Sequence, residues 1–197
     1  TLPKLATPDI QLHFLPIGVA REGENSPLVF PYPAIMVYVN KSHPLSQGQV
    51  RLASKDPADK PLIECKLLDN IEDMKTLVRA ATLVNRIMSS EPIASLIESN
   101  VRPVIDFNEA KEIENTIRQN TDLAYHPAGT CRMGIDNEAV VTPDLRVRGL
   151  DNLWVADASI MPDLISGNTN AVCMMIGEKL GRQLIEGGAS EKMKGPN

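Results

Sequence analysis

Residues 9–19 read DIQLHFLPIGV, in which Ile10, Leu12 and Phe14 alternate with Gln11 and His13. That period of two predicts a strand with one face against a core. A turn rich in Gly, Asn, Ser and Pro follows from Arg21 to Pro27, and the apolar run at 34–39 (AIMVYV) predicts a second strand. The turn at 43–48 (HPLSQG) leads into a short third strand over 49–53, which two prolines in 55–61 bring to an end. The period then changes. Ile71, Met74, Leu77, Val78, Ala81, Val84, Ile87 and Met88 form a helical stripe across 69–88, with Asp69 or Asn70 as the N-cap. A more polar helix is expected over 109–118, with Ile113 and Ile117 on one side. Beyond a loop at 121–136 and a Pro143-Asp144 turn, two short strands are expected at 145–148 and 153–156. A last helix over 170–186 is expected to close at Gly187-Gly188, leaving a frayed tail at 187–197.

Composition fits this picture of a folded chain. The 197 residues are 43% hydrophobic and 23% charged, enough apolar material for a core. A net charge of −5 without a long Lys/Arg run argues against a dedicated nucleic-acid surface. No apolar stretch approaches the roughly 18 residues of a membrane span, so no membrane partner is expected and the expected compartment is the cytoplasm. The start Thr1-Leu2-Pro3-Lys4 has neither the features of a signal peptide nor an initiator residue, and reads as a point inside a longer protein. Cys65, Cys131 and Cys173 are far apart with no CxxC pair, which suggests reduced thiols rather than a disulfide framework or a zinc site. The histidines are three, His13, His43 and His126, so a base working near neutral pH has few candidates.

The informative region is 124–178. His126 lies in a turn-rich loop, directly before a proline that keeps it out of a helix interior. Such a loop can hold an imidazole while leaving its ring accessible, as a general base requires. It can equally serve a histidine that only satisfies a local backbone group. Downstream, a short apolar strand runs into Asp157, followed by the small residues Ala158 and Ser159. The polar cluster Ser166-Gly167-Asn168-Thr169-Asn170 then precedes an apolar helix. A helix start of this kind suits an anionic or carbonyl-rich ligand, and the same residues also serve as ordinary N-caps. A Ser-His-Asp hydrolase fits poorly because no GxSxG elbow occurs. Three scattered histidines make a zinc enzyme poorer still.

Four ordered motifs carry a resemblance: 126–134 (HPAGTCRMG), 140–149 (VVTPDLRVRG), 152–159 (NLWVADAS) and 166–171 (SGNTNA). Together they resemble the C-terminal region of the glucose–methanol–choline (GMC) oxidoreductases, and 44–52 (PLSQGQVRL) is similar to the family's substrate-domain hairpin. The resemblance runs from about residue 35 to residue 186, and the 166–171 string is most similar to choline-dehydrogenase-like members.

The resemblance implies an α+β fold, mostly antiparallel sheet with helices packed on one face. Residues 1–136 would belong to the substrate-binding domain, including the histidine loop, and 137–186 would complete an FAD-binding domain. It implies FAD-dependent oxidation of a small-molecule alcohol. His126 matches the active-site base, and Asn168 matches a second position that hydrogen-bonds the substrate oxygen. Asp157 and Ala158 match residues near the FAD phosphates and ribityl chain. Thr169 and Asn170 match the helix start beside the flavin pyrimidine edge, where a helix dipole stabilises negative charge. A non-catalytic module that keeps the fold, or an FAD-containing hydroxynitrile-lyase-like member, are the alternatives. The dinucleotide fingerprint GxGxxG is absent from these residues. The chain therefore reads as about the last third of such a protein, whose N-terminal FAD-binding part is the expected partner. By itself it is expected to bind FAD weakly or not at all and to be catalytically silent. A quaternary ammonium substrate usually wants an aromatic cage, and with 4% aromatic residues here that cage would come from elsewhere.

Overall fold

The structure is a computed structural model that describes residues 1–21, 27–101 and 103–193. The turn expected between Arg21 and Pro27 falls at 22–26, outside the described residues, as does the end of the tail at 194–197. The chain divides into two compact units, 1–48 with 64–122, and 49–63 with 123–197. Among the described residues, short antiparallel sheets and three α-helices give an α+β architecture.

In the first unit, β1 (Ile10–Leu15) pairs antiparallel with β4 (Met36–Lys41), in a register that sets Leu12 opposite Val39 and Phe14 opposite Val37. The smaller pair β2 (Val19–Arg21) and β3 (Pro27–Val29) forms a second ladder. Cross-strand partners share a face, so Leu12, Phe14, Val37 and Val39 lie together. This is the face the alternation predicted to be inside, yet Leu12 and Phe14 are 38% and 56% exposed while Gln11 and His13 are half-buried. A period of two says that the two faces differ. Which face is covered depends on a neighbour that the pattern does not name.

Helix α1 (Ile71–Met88) packs against β4 and against α2 (Ala110–Asn120). Its start follows from the sequence: Asn70 is the N-cap, and its side chain accepts from the Glu72 N–H at 2.9 Å. Glu72 and Asp73 in the first turn and Arg86 in the last complement the helix dipole. Met74 of the expected stripe is buried, and so is Ile113 of α2, but the buried face of α1 is completed by Asp73, Thr76 and Ala80, while the stripe residues Ile71 and Ile87 are exposed.

Helix α1 also buries a carboxylate. Asp73, 2% exposed, accepts from the Leu45 N–H at 3.0 Å, the Ser46 N–H at 2.8 Å and the Ser46 hydroxyl at 2.6 Å. Ser46 Oγ in turn accepts from the Asn70 N–H at 3.0 Å. The turn at 44–46 is thus tied to the first turn of α1. Burial alone would raise the Asp73 pKa, but the donors from Leu45 and Ser46, with Lys41 nearby, outweigh it and hold the carboxyl below its ordinary value.

β5 (Gln49–Arg51) pairs with β6 (Leu62–Glu64), all but Glu64 belonging to the second unit. The strands expected at 145–148 and 153–156 are present only as isolated bridges, Val141 with Val147 and Arg146 with Trp154. Left-handed backbone at Leu145 (φ 65°), at the start of the first run, and at Gly149 (φ 76°) and Asn152 (φ 58°), between the two runs, departs from the extended conformation that a ladder needs. Helix α3 (Asn170–Met193) does not stop at Gly187-Gly188 but continues through them. Each glycine costs only about 1 kcal/mol relative to alanine, which a long, already nucleated helix absorbs. The core is Val141, Leu145, Ile160, Met161, Ile176 and Leu180, flanked by Met133, Trp154 and Val172.

Replacing Asp73 by alanine strands several buried donors at once, and is expected to lower stability by about 3 kcal/mol in urea denaturation. Because the folded-state pKa is depressed, the carboxylate's stabilisation is complete above about pH 4 and is lost as pH falls through the folded value. Asp73→Asn should therefore flatten the acid limb of the stability–pH curve. An unchanged acid limb would remove Asp73 from this role.

Candidate functional site

All six residues singled out by sequence lie in the second unit. The loop that begins at His126 is fastened along its length to one segment. The N–H groups of Gly129, Cys131 and Met133 donate to the carbonyls of Ala158, Ser159 and Ile160 at 3.2, 2.8 and 2.8 Å. The same loop reaches back to 140–141: Val140 N–H donates to Arg132 O at 2.9 Å and Gly134 N–H to Val141 O at 3.1 Å. The Thr142-Pro143-Asp144-Leu145 turn closes with Leu145 N–H donating to Thr142 O at 2.8 Å, a geometry that Pro at its second position favours.

Two left-handed residues bracket the histidine. Tyr125 has φ 61° and Gly129 has φ 85°. The chain therefore turns sharply on both sides of His126-Pro127. A Cβ at Gly129 would meet the Met161 carbonyl oxygen at 3.2 Å, so this position requires glycine both for its dihedral and for its closeness.

The ring of His126, half-buried, is contacted at both nitrogens. Nδ1 lies 3.0 Å from Thr169 Oγ1, and Nε2 lies 3.0 Å from Asn168 Nδ2. Thr169 is 7% exposed whereas Asn168 is exposed. The Thr169 carbonyl accepts from the Cys173 N–H at 2.9 Å, the first hydrogen bond of α3, so both contacts come from residues at that helix's start. Asn170, exposed, is its first residue, and no acidic side chain occupies the first turn. Beneath, Ile176 and Leu180 of α3 are buried in the core with Ile160 and Met161.

Asp157 sits elsewhere in this arrangement. Its carboxylate accepts from the Ser159 N–H at 2.8 Å and from the Ser159 hydroxyl, capping the 3-10 turn Ala158–Ile160. Ala158 is half-buried and its carbonyl receives the Gly129 N–H. These two residues thus shape the segment that holds the histidine loop. The structure brings His126, Asn168 and Thr169 together, with Asn170 adjoining in sequence.

Two features escaped sequence reading. The Thr169–His126 contact joins residues 43 apart, and nothing local to either announces it. Arg132 makes a bidentate pair with Asp136, Nη1 to Oδ2 at 2.9 Å and Nη2 to Oδ1 at 2.8 Å. The Arg132 guanidinium holds the Asp136 carboxyl well below the usual carboxylate range. An i, i+4 Arg/Asp spacing within a glycine-bearing loop was the available signal. Among the described residues, no group of three or more His, Cys, Asp or Glu side chains is arranged to hold a metal ion, and no helix is long and apolar enough to cross a membrane.

The GMC oxidoreductase family model matches residues 44–177. Over 183 residues the chain is 36% identical to the alcohol dehydrogenase (acceptor) of Pseudomonas putida, covering 93% of this chain and 33% of that protein. It is also 36% identical, over 177 residues, to the oxygen-dependent choline dehydrogenase of Klebsiella pneumoniae, covering 90% of this chain and 31% of the relative. Among solved structures, pyridoxine 4-oxidase from Mesorbium loti superposes with a TM-score of 0.77 at 31% identity, over 89% of this chain and 34% of that one. A formate oxidase from Aspergillus oryzae RIB40, studied for its FAD modification, gives 0.76 at 25% identity, over 89% and 31%. The chain spans about a third of the length of the curated relatives it matches.

Gly129→Ala is expected to destabilise the second unit by roughly 1–2 kcal/mol, through strained φ and a crowded Met161 carbonyl. Chemical denaturation measures this. Wild-type stability in that variant would show that the loop does not depend on the left-handed residue.

Proposed function

Because the chain belongs to the GMC oxidoreductase family, we propose that it is the C-terminal part of an FAD-dependent enzyme that oxidises the CH–OH group of an alcohol to a carbonyl. One observation carries the reading. The two positions matched to the family's active-site pair, His126 and Asn168, are 42 residues apart in sequence and 3.0 Å apart in space.

The residues present suit a flavin. Gly167 has open space where a Cβ would stand, Asn168 and Asn170 are exposed, and the positive end of a 24-residue helix begins beside them. An electron-rich ring system is stabilised by such a helix end. No phosphate-cradling GxGxxG occurs among the 197 residues, so the nucleotide half of FAD falls to the remainder of a longer protein. Residues 1–136 then contribute to the substrate side and 137–186 complete the FAD side.

When bound, FAD supplies the acceptor for the hydride, a role no side chain can fill. Nε2 of His126 takes the hydroxyl proton, since removing it near neutral pH needs a base such as imidazole. The Asn168 amide donates to the same oxygen and fixes the carbinol carbon, a positioning role. An oxygen that touches both groups enters at the Asn168–Nε2 contact. Asp157 and Ala158, on the segment that fastens the histidine loop, act by holding His126 in place. Choline-like substrates are favoured by the similarity to choline dehydrogenases, with the quaternary ammonium bound outside this chain.

In the whole flavin-loaded protein, choline and a series of primary alcohols should be tried anaerobically, following loss of flavin absorbance. His126→Ala is expected to slow that reduction by about 10²- to 10⁴-fold while flavin stays bound. Near-normal reduction would take His126 out of the base role, and no reduction of the wild type by any alcohol would count against alcohol oxidation. Titrated with FAD, the isolated 197 residues should bind weakly or not at all; a tight one-to-one complex would contradict the division proposed here.

A further inference from the structure

We propose that Thr169 is the positioning residue of His126, fixing the ring in the tautomer that carries its proton on Nδ1. This rests on the reading of His126 as the base of the proposed reaction, but its geometry stands apart from that reading. A neutral imidazole has one N–H donor and one acceptor nitrogen. Asn168 Nδ2 can only donate, and it lies 3.0 Å from Nε2. Nε2 is therefore the acceptor, and the ring proton resides on Nδ1. At 3.0 Å from Nδ1, Thr169 Oγ1 receives that proton as a hydrogen bond. Which imidazole nitrogen is protonated is set by the bond the other makes. A hydroxyl can accept as well as donate, so buried Thr169 takes the Nδ1 proton without conflict.

Thr169 suits this task better than a mobile surface hydroxyl would. It is 7% exposed, and its carbonyl starts the α3 ladder through the Cys173 N–H. Its backbone is thereby fixed to a helix anchored in the core by Ile176 and Leu180. The Tyr125 and Gly129 turns fix the ring from the other side. The result leaves the Nε2 lone pair directed at exposed Asn168. Once Nε2 is protonated, the Nδ1–H of the imidazolium keeps its oxygen acceptor, so no ring rotation is needed between the two states. Thr169 thus acts through the histidine, a role distinct from contact with the flavin edge.

The test needs no turnover. In the whole protein with histidine labelled by ¹⁵N, the His126 signals are identified by their loss in His126→Gln, and NMR reads which nitrogen carries hydrogen. The wild type should show Nδ1–H with Nε2 bare. Thr169→Ser, which keeps the hydroxyl, should retain that pattern. Thr169→Val, which keeps the shape and loses the acceptor, should shift hydrogen onto Nε2 in a sizeable share of molecules. A wild type protonated on Nε2 would overturn the inference. So would an unchanged Nδ1–H pattern in Thr169→Val. If Thr169→Val fails to fold, Thr169→Ala, which also removes the acceptor, takes its place with the same two outcomes. A protein with Nδ1–H that oxidises no alcohol would uphold the positioning role and overturn the proposed reaction, whereas an alcohol-oxidising protein with Nε2–H would do the reverse.

Discussion

Two consecutive side chains, Thr169 and Asn168, meet the two nitrogens of one imidazole, and much of the second unit is arranged so that they can. Neither contact could form between a free loop and a free helix without a large ordering cost, because fixing each backbone residue costs roughly 1–2 kcal/mol. The core covers that cost. Val141, Leu145, Ile160 and Met161 hold together the strand-like segments that carry the histidine loop, while Ile176 and Leu180 bring the start of α3 to the same place. Three backbone hydrogen bonds from alternate residues of the loop then fix its register. The polar site is a consequence of where an apolar cluster puts two chain segments.

The first unit shows the same division between polar precision and apolar bulk. Asp73 lies in the buried stripe of α1, where an unpaired carboxylate would be costly. It is tolerated because the 44–46 turn supplies three donors. The turn and the helix each complete the other, which is why the helix N-cap Asn70 and the turn residue Ser46 are themselves joined. Elsewhere apolar surface remains open: Phe14 on β1, and Met174, Met175 and Ile185 on α3 are all more than half exposed.

The sequence made local devices readable. Helix α1 begins one residue past the Asn70 cap, and its apolar stripe buries Met74, although the buried face also takes in Asp73, Thr76 and Ala80 and leaves Ile71 and Ile87 exposed. The two apolar runs that became β1 and β4 were readable as strands, though not as partners. What could not be read depends on long-range neighbours. Alternation in β1 gave two unlike faces but not the fact that Leu12 and Phe14 would be the open ones. The runs at 145–148 and 153–156 have strand composition, yet left-handed residues at Leu145 and Asn152 reduce them to bridges. At the site, motif matching selected His126, Asn168 and Thr169. It set Thr169 beside a ligand, and the contact of its hydroxyl with His126, 43 residues away, leaves no local sign in the sequence.

The claim on which the functional reading turns is that an alcohol oxygen is held jointly by His126 Nε2 and the Asn168 amide. A crystal structure of the whole protein with FAD and an unreactive alcohol analogue bound tests it directly. Both groups are expected within about 3.2 Å of the analogue's oxygen, with the Thr169–Nδ1 contact intact. An analogue bound elsewhere, with the His126–Asn168 contact still closed, would contradict it.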